Sequence, residues 1–421
     1  MGNGFCSHVL GFNGMVIILF VLISVVSGNK ISEGGTKENH LPRHAVKSIQ
    51  SEDGDIIDCI DIYKQPAFAH PALRDHKIQM APSYEPTVET MAATSPAKTK
   101  TFKNRYEQSS MIVASQIWKK NGSCPDGTVP VRRFQNKGQL ESNSLEAYVR
   151  NKPTHPVKQL NDDENPNSQL PNRSKAILLT LGYIYSGAKA DIKVWDPSVE
   201  SDDEYSTSRV SLQSGPYYDF ESIESGWAVN PRVYGDKKTR LYVYWTVDGS
   251  KATGCFDLTC PGFVQTSNEI ALGAAIYPIS VANGLPYQIN IYIFKDPNTS
   301  NWWMQYGEKI NVGYWPHNLF SLIISGAESV EWGGEVYSLK LGQSPHTATK
   351  MGNGEYPDPI FGDSGYMKRM RVLDNSRILK FPEWVSTYAD EYNCYDVYYI
   401  SDYVEDPEFY YGGPGRSYKC P

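Results

Sequence analysis

Several kinds of catalytic machinery are missing from this chain. It holds 8 histidines in 421 residues, and beyond residue 175 the only ones are His317 and His346, each beside a proline-containing turn (YWPHN, QSPHT). No HExxH helix, GxSxG elbow or Gly-rich phosphate loop occurs, so zinc peptidase, serine hydrolase and nucleotide-dependent chemistry have no recognisable apparatus. No CxxC pair occurs either, which removes the usual structural zinc site. Basic residues are in deficit, 40 against 47 acids, for a net charge of −7. With no basic field to draw phosphates in, a nucleic-acid partner is not expected.

Long apolar runs are also scarce. Residues 15–26 (MVIILFVLISVV) are too few to span a bilayer comfortably, and small residues follow in VVSGN. This reads as a signal peptide over 1–28, cleaved after Gly28, although its start lacks Lys and Arg. The opening MGNGFC carries Cys6 where a myristoylation signal needs Ser or Thr. The mature chain is therefore expected to be secreted, with no membrane segment, and is read as a monomer.

Cleavage removes Cys6 and leaves Cys59, Cys124, Cys255, Cys260, Cys394 and Cys420. An even number suits an oxidising compartment. Pairing by neighbourhood gives Cys59–Cys124, Cys255–Cys260 and Cys394–Cys420, one of fifteen connectivities that six cysteines allow. With every cysteine committed, a thiolate nucleophile is disfavoured. Asn121 (NGS), Asn172 (NRS) and Asn298 (NTS) are N-glycosylation acceptors in a secreted chain.

What the sequence does have is alternation. Residues 152–175 (KPTHPVKQLNDDENPNSQLPNRSK) are rich in Pro, Asn and Asp and bury almost nothing, so they read as a linker. Before it, 29–151 reads as a smaller mixed α+β domain, with helical spacing at Met111, Ile112, Ser115 and Trp118. After it, 176–421 reads as an all-β domain. LYVYWTVDG sets Leu241, Val243, Trp245 and Val247 against Tyr242, Tyr244 and Thr246, and YQINIYIFKD turns Ile289, Ile291 and Ile293 inward. Turn signals such as VDGS, KDPN and GGPG separate such runs, which predicts an antiparallel double-sheet β-sandwich of jelly-roll type.

By elimination, carboxylates must carry any catalysis. In SVEWGGEVYS the period of two puts Val330, Trp332, Gly334 and Val336 on one face and Glu331, Gly333, Glu335 and Tyr337 on the other. IESGWAVN repeats the pattern, with Glu224, Gly226 and Ala228 opposite Ile223, Ser225, Trp227 and Val229. Most exposed acids on strands only face solvent, but two in matching glycine-flanked settings single themselves out. Glu331 and Glu335, four residues apart at ~3.3 Å each, sit ~13 Å apart along one strand. That spacing is too long to share a proton, so the expected pair crosses strands: Glu224 with Glu335, Glu331 in reserve, and Gly333 making room for a substrate backbone.

These residues carry a resemblance. CIDIYKQPAFAHPALRDHKIQM and QIWKKNGSCPDGTVPVRR resemble the activation-peptide region of the plant neprosin family. GAKADIKVW, IESGWAV, YGDKKTRLYVYWTVDGSKATGCFDLTCPGFVQ, GYWPHNLF and VEWGGEV resemble its catalytic domain. The resemblance implies a secreted zymogen of a glutamic peptidase on a double-sheet β-sandwich, acid-active and cutting after proline, with catalytic glutamates at Glu224 and Glu335. The compartment implied is the apoplast, or the vacuole.

Two close carboxyls ionise unequally, so one can draw a proton from water while the other donates to the scissile group; which does which stays open. No metal or cofactor is expected. Gln265 and Tyr244 are candidate oxyanion donors. Tyr242, Tyr244 and Tyr292 are a candidate platform for a proline ring, with core packing the equal alternative. The partners expected are a peptide or protein substrate and the chain's own propeptide as inhibitor, with self-cleavage after Pro153, Pro156, Pro166 or Pro171. A glycoside hydrolase using the same acids and a non-catalytic, sugar-binding cell-wall module are the other classes left open.

Overall fold

The computed structural model describes residues 44–84, 87–88, 113–134, 172–216, 218–359, 363–402, 404 and 406–421. The signal peptide expected over 1–28 and the linker residues 152–171 lie outside the described residues. Before residue 172 run β1 (Ala45–Gln50), β2 (Ile56–Asp61), β3 (Thr87–Val88) and β4 (Thr128–Arg132). Then come β5 (Arg173–Tyr185), β6 (Gly187–Lys193), β7 (Tyr205–Ser214), β8 (Glu221–Val229), β9 (Arg240–Thr246), β10 (Cys255–Phe256), β11 (Val264–Gln265) and β12 (Gln288–Lys295). The chain continues through β13 (Trp302–Tyr306), β14 (Ile310–Trp315), β15 (Ala327–Tyr337), β16 (Gly365–Leu373), β17 (Ile378–Lys380), β18 (Ser386–Ala389), β19 (Asp396–Ile400) and β20 (Glu408–Gly412).

Two large sheets result. One has seven strands in the order β10-β9-β8-β7-β15-β5-β18; the other has ten, running β11-β14-β13-β12-β6-β16-β17-β3 with β20 and β19 branching from β16. Apart from the parallel pair of β17 and β3, the strand pairs are antiparallel. The alternation seen in sequence decides which face is buried in the shared core. Ile223, Trp227, Leu241, Val243, Val330, Trp332 and Val336 of the first sheet join Ala188, Ala190, Ile192, Ile289, Ile291 and Ile293 of the second in one apolar cluster. The indoles also need partners for their N–H groups. Trp227 Nε1 donates to the Lys193 carbonyl (2.8 Å) and Trp332 Nε1 to the Lys189 carbonyl (3.2 Å), so both reach across to β6.

The part before residue 172 has its own small sheet, β1-β2-β4. Its core of Ile49, Ile57, Cys59, Trp118 and Cys124 closes over Ala271 and Ala274 from the larger part. The helical spacing at Met111, Ile112, Ser115 and Trp118 does not give an α-helix in the described part. Val113 and Ser115 form bridges with Gln288 and Tyr277, and a 3-10 helix spans only Ile117–Asn121. Ser115 N–H donates to the Tyr277 carbonyl at 2.6 Å and Tyr277 N–H returns the bond at 2.7 Å, so tertiary pairing overrides a short local period. Residues 173–175, at the end of the stretch read as a linker, begin β5. Among the described residues no helix is long and apolar enough to cross a membrane.

The three disulfides are Cys59–Cys124, Cys255–Cys260 and Cys394–Cys420, as neighbourhood pairing expected. Cys59–Cys124 closes the longest loop, 65 residues. Replacing both cysteines by serine should destabilise the β1-β2-β4 unit by about 4 kcal/mol from the loop length alone. Hydrogen exchange of β2 amides in the double variant checks this, with faster exchange there and little change in β8.

Candidate active site

The two sequence motifs end up in one sheet, but not on adjacent strands. Glu224 lies on β8 and Glu335 and Glu331 on β15, with β7 running between them. The register sets the geometry. Ser211 of β7 faces Glu224 on one side and Glu331 on the other; Arg209 faces Gly226 and Gly333; Thr207 faces Ala228 and Glu335. All of these point away from the shared core, because they occupy the alternate phase to Val210, Trp227 and Trp332.

Arg209 fills the middle of this face. Its Nε donates to Glu224 Oε2 at 2.8 Å, and its Nη2 donates to Glu335 Oε2 at 2.9 Å and to Glu331 Oε2 at 3.2 Å. The side chain is only 2 % exposed. Burial alone would push the guanidinium down, but Glu335, Glu224 and Glu331 outweigh it and hold its pKa well above the ordinary value. Glu331 and Glu335, read from the sequence as ~13 Å apart along the strand and too far to share a proton, nevertheless both reach one nitrogen. Arg209 lies opposite Gly333, midway between them, and both side chains lean over the gap above the glycine to reach the same nitrogen.

The remaining contacts separate the three acids. Glu335 Oε1 accepts from Tyr205 Oη at 2.6 Å, and Glu224 Oε1 accepts from Tyr242 Oη at 3.3 Å. Glu331 is clasped by Lys175 Nζ at 2.9 and 3.0 Å through both oxygens. Lys175 stands opposite Glu335 on β5. Burial, followed by the charge of Glu335, holds the Tyr205 hydroxyl well above its ordinary pKa; for Tyr242, burial and then Glu224 do the same. Both tyrosines therefore act as donors. Arg173, buried at the start of β5, also feels this cluster: burial opposes its charge, while Tyr205, Glu335, Tyr244 and Glu224 favour it and raise its pKa overall.

The other sequence candidates sit elsewhere. Gln265 is on β11, at the edge of the other sheet, where its Nε2 donates to the Ile270 carbonyl (2.7 Å) and its backbone exchanges hydrogen bonds with Gln65. Tyr292 belongs to β12 of that same sheet and stacks on Phe294, centroids 4.7 Å apart. Tyr244 packs on Phe256 and donates to Ser250 Oγ at 2.9 Å. All three tyrosines are buried, so the open tyrosine platform is replaced by packing, Tyr242 and Tyr244 lying with Tyr234 and Phe256 in a small apolar cluster. Asn121 and Asn298 are exposed, their amides donating to the Gln50 carbonyl and Ser83 Oγ; Asn172 is partly exposed at the edge of β5. Sequence reasoning missed Arg209, Tyr205 and Lys175. The signal for Arg209 was a lone cation in the Ser/Thr-rich alternation YSTSRVSLQS, in the phase opposite Val210 and Leu212.

Gly333, expected to make room for a substrate backbone, and Gly226 both stand where neighbouring strands crowd. A Cβ at Gly333 would meet the Ala176 carbonyl oxygen at 2.2 Å and Ile177 Cα at 2.8 Å, at φ +148°; one at Gly226 would meet the Ser208 carbonyl oxygen at 1.9 Å. They permit close approach of neighbouring strands around Arg209.

Compared with known proteins, residues 202–414 match the family model described as Neprosin, and residues 48–175 match the one described as Neprosin activation peptide. Solved structures similar to the chain include scytalido-glutamic peptidase with a transition state analog inhibitor, at 10% identity over 59% of this chain and 100% of that one, TM-score 0.32. Another is SCP-B, a member of the Eqolisin family of peptidases in a complex with the tripeptide Ala-Ile-His, at 9% identity with the same coverage and TM-score 0.29.

If the glycines serve strand packing, Gly333→Ala should lower stability by about 2 kcal/mol or more, read as a fall in the urea midpoint. Unchanged stability with a raised KM would instead return Gly333 to a role in admitting substrate.

Proposed function

The chain belongs to the neprosin family and is a glutamic peptidase made with its activation peptide; on that premise we propose that Glu224 and Glu335 are its catalytic pair, hydrolysing peptide bonds in an acidic compartment outside the cell or in the vacuole. The observation that supports this reading best is the shared guanidinium. Arg209 draws one oxygen of each acid onto itself from strands that are not neighbours, so both carboxyls face the same small volume. Glu331 is there too, but Lys175 takes both its oxygens, which favours a structural role for it. The architecture proposed is a double-sheet sandwich of jelly-roll type, with the pair on its outer face.

Roles follow from the donors. Tyr205 and Arg209 donate short hydrogen bonds to Glu335, at 2.6 and 2.9 Å, and on that contact it is assigned as the base. Glu224 takes a short hydrogen bond from Arg209 and a longer one, 3.3 Å, from Tyr242, and on that asymmetry it is assigned as the acid. Glu335 takes a proton from water as its oxygen attacks the scissile carbonyl carbon, and Glu224 passes its proton to the departing amine. Cleavage after proline is the specificity proposed, by family likeness.

We also propose that the activation segment, read over 29–151, inhibits the zymogen and that acid loosens its docking. Asp55 accepts from Arg240 Nη1 (2.7 Å) and Nη2 (3.0 Å), and from Arg132 Nε (3.0 Å). His76 Nε2 lies 2.7 Å from Tyr314 Oη, and the His70 ring stands edge-on to Trp245. Burial lowers both histidine pKa values, and for His76 the nearby His317 adds to it. A histidine with a depressed docked pKa binds fewer protons docked than free. Docking is then at full strength above about 6.5 and weakens as pH falls from there towards the depressed value. For Asp55, burial raises the pKa but the Arg240 and Arg132 contacts prevail and lower it. Its contribution is full above the ordinary aspartate value and is lost only as pH drops below that, through the depressed value. The histidines thus sense mild acid, and the Asp55 cluster lets go later.

Two outcomes are expected. With a proline-containing peptide at acidic pH, mass spectrometry should show cleavage by the wild type and none by Glu224→Gln or Glu335→Gln, while Glu331→Gln keeps activity within about tenfold. Glu331→Gln as dead as the other two would make Glu331 a member of the pair. In the double variant His70→Gln/His76→Gln, hydrogen exchange of β1, β2 and β4 should loosen at lower pH than in the wild type; an unshifted profile removes the histidines from the trigger.

A further inference from the structure

The catalytic pair accounts for two of the three needs of peptide hydrolysis, a base and an acid. The third is a donor for the carbonyl oxygen as it becomes an oxyanion. The tyrosine hydroxyls near the pair are spoken for: Tyr205 donates to Glu335, Tyr242 to Glu224 and Tyr244 to Ser250. Gln265, the sequence candidate, is bound to the Ile270 carbonyl on the other sheet. One donor in the centre of the site is left over. Arg209 Nη1 is buried and has no hydrogen-bond partner among the described residues, whereas Nε and Nη2 of the same group are saturated by carboxylates. A buried, unsatisfied N–H on a charged group is costly, and such an atom at the meeting point of the two proposed catalytic acids calls for a ligand.

We propose that Arg209 is a catalytic residue whose Nη1 hydrogen-bonds the scissile carbonyl oxygen and stabilises the tetrahedral oxyanion. This rests on Glu224 and Glu335 being the reacting pair. As water oxygen bonds to the carbonyl carbon, its proton goes to Glu335 and the C=O π pair moves onto oxygen. That oxygen takes a hydrogen bond from Nη1 without receiving its proton. The pair then re-forms C=O as the C–N bond breaks, and the amine nitrogen leaves with the Glu224 proton. Arg209 remains a cation throughout, and its three carboxylate contacts hold it fixed, so little reorganisation is needed when the oxyanion forms. Gly226 and Gly333 flank it in register, so no side chain from either neighbouring strand stands beside it at that level.

The test uses the acid-activated protein and a proline-containing peptide. Arg209→Lys keeps a cation but not a second donor edge. It should lower kcat about 100-fold or more with KM changed only a few-fold, and it should bind a phosphinate peptide, a tetrahedral analogue, at least tenfold more weakly while binding an uncleavable ground-state peptide as the wild type does. Removing a buried cation can prevent folding, so Arg209→Gln/Glu331→Gln, which preserves the charge balance of the cluster, is measured beside it against Glu331→Gln alone and should show the same loss. Either Arg209 variant turning over within threefold of its parent overturns the inference, as does a raised KM with unchanged kcat, which marks Arg209 as holding substrate or the acids only. Failure of the underlying reading looks different: wild type and Glu335→Gln would then be equally inert towards the peptide, and the Arg209 assignment would fall with it.

Discussion

The outer face of the seven-stranded sheet depends on one buried cation. Three carboxylates brought within reach of one another in a largely buried place would repel strongly, and each would cost several kcal/mol to desolvate alone. Arg209 makes the arrangement possible by taking an oxygen of each, and Lys175 adds a second positive charge through Glu331. Arginine suits this position because its planar fork offers several donors and does not lose its charge on burial, whereas lysine presents a single point of charge. The same group that neutralises the acids also aims them, since every hydrogen bond it makes fixes a carboxyl orientation.

That position is a product of sheet register. β7 runs between β8 and β15, and one residue of slip would turn Arg209 into the core and Val210 onto the acids. The core on the other side resists such a slip: Trp227 and Trp332 insert into the shared apolar cluster and bond to carbonyls of β6. Core packing and site geometry are therefore two faces of the same constraint. The glycines at 226 and 333 belong to it as well, because they let strands approach at the level where the guanidinium lies.

The activation segment is tied to both sheets. Asp55 and Arg132 engage Arg240 and the Tyr234 carbonyl beside the acid sheet, while Gln79 and Ser83 bond to Asp296 and His76 meets Tyr314 on the other. Gln65 pairs with the Gln265 backbone, and Gln116 with Ala271. Docking of this segment is therefore spread over charged, aromatic and backbone contacts on both sheets.

Alternation alone was enough to identify the inward faces of β8, β9, β12 and β15, and with them the all-β character of the larger part and the two glycine-flanked acids on the opposite phase. Local spacing likewise reached the three disulfides. Those features depend on neighbours along the chain, which a sequence displays directly. It could not say that β7 would come between the two glutamate strands, that Glu331 and Glu335 would meet on one nitrogen, or that the tyrosines and Gln265 would be consumed by packing and backbone bonds. Arg209 stands 15 residues before Glu224 and 126 before Glu335, and only strand order and register bring such positions together. The acids and the alternating faces were properties of the sequence; the guanidinium between them was decided by tertiary structure, because a shared counterion depends on which strands become neighbours in space.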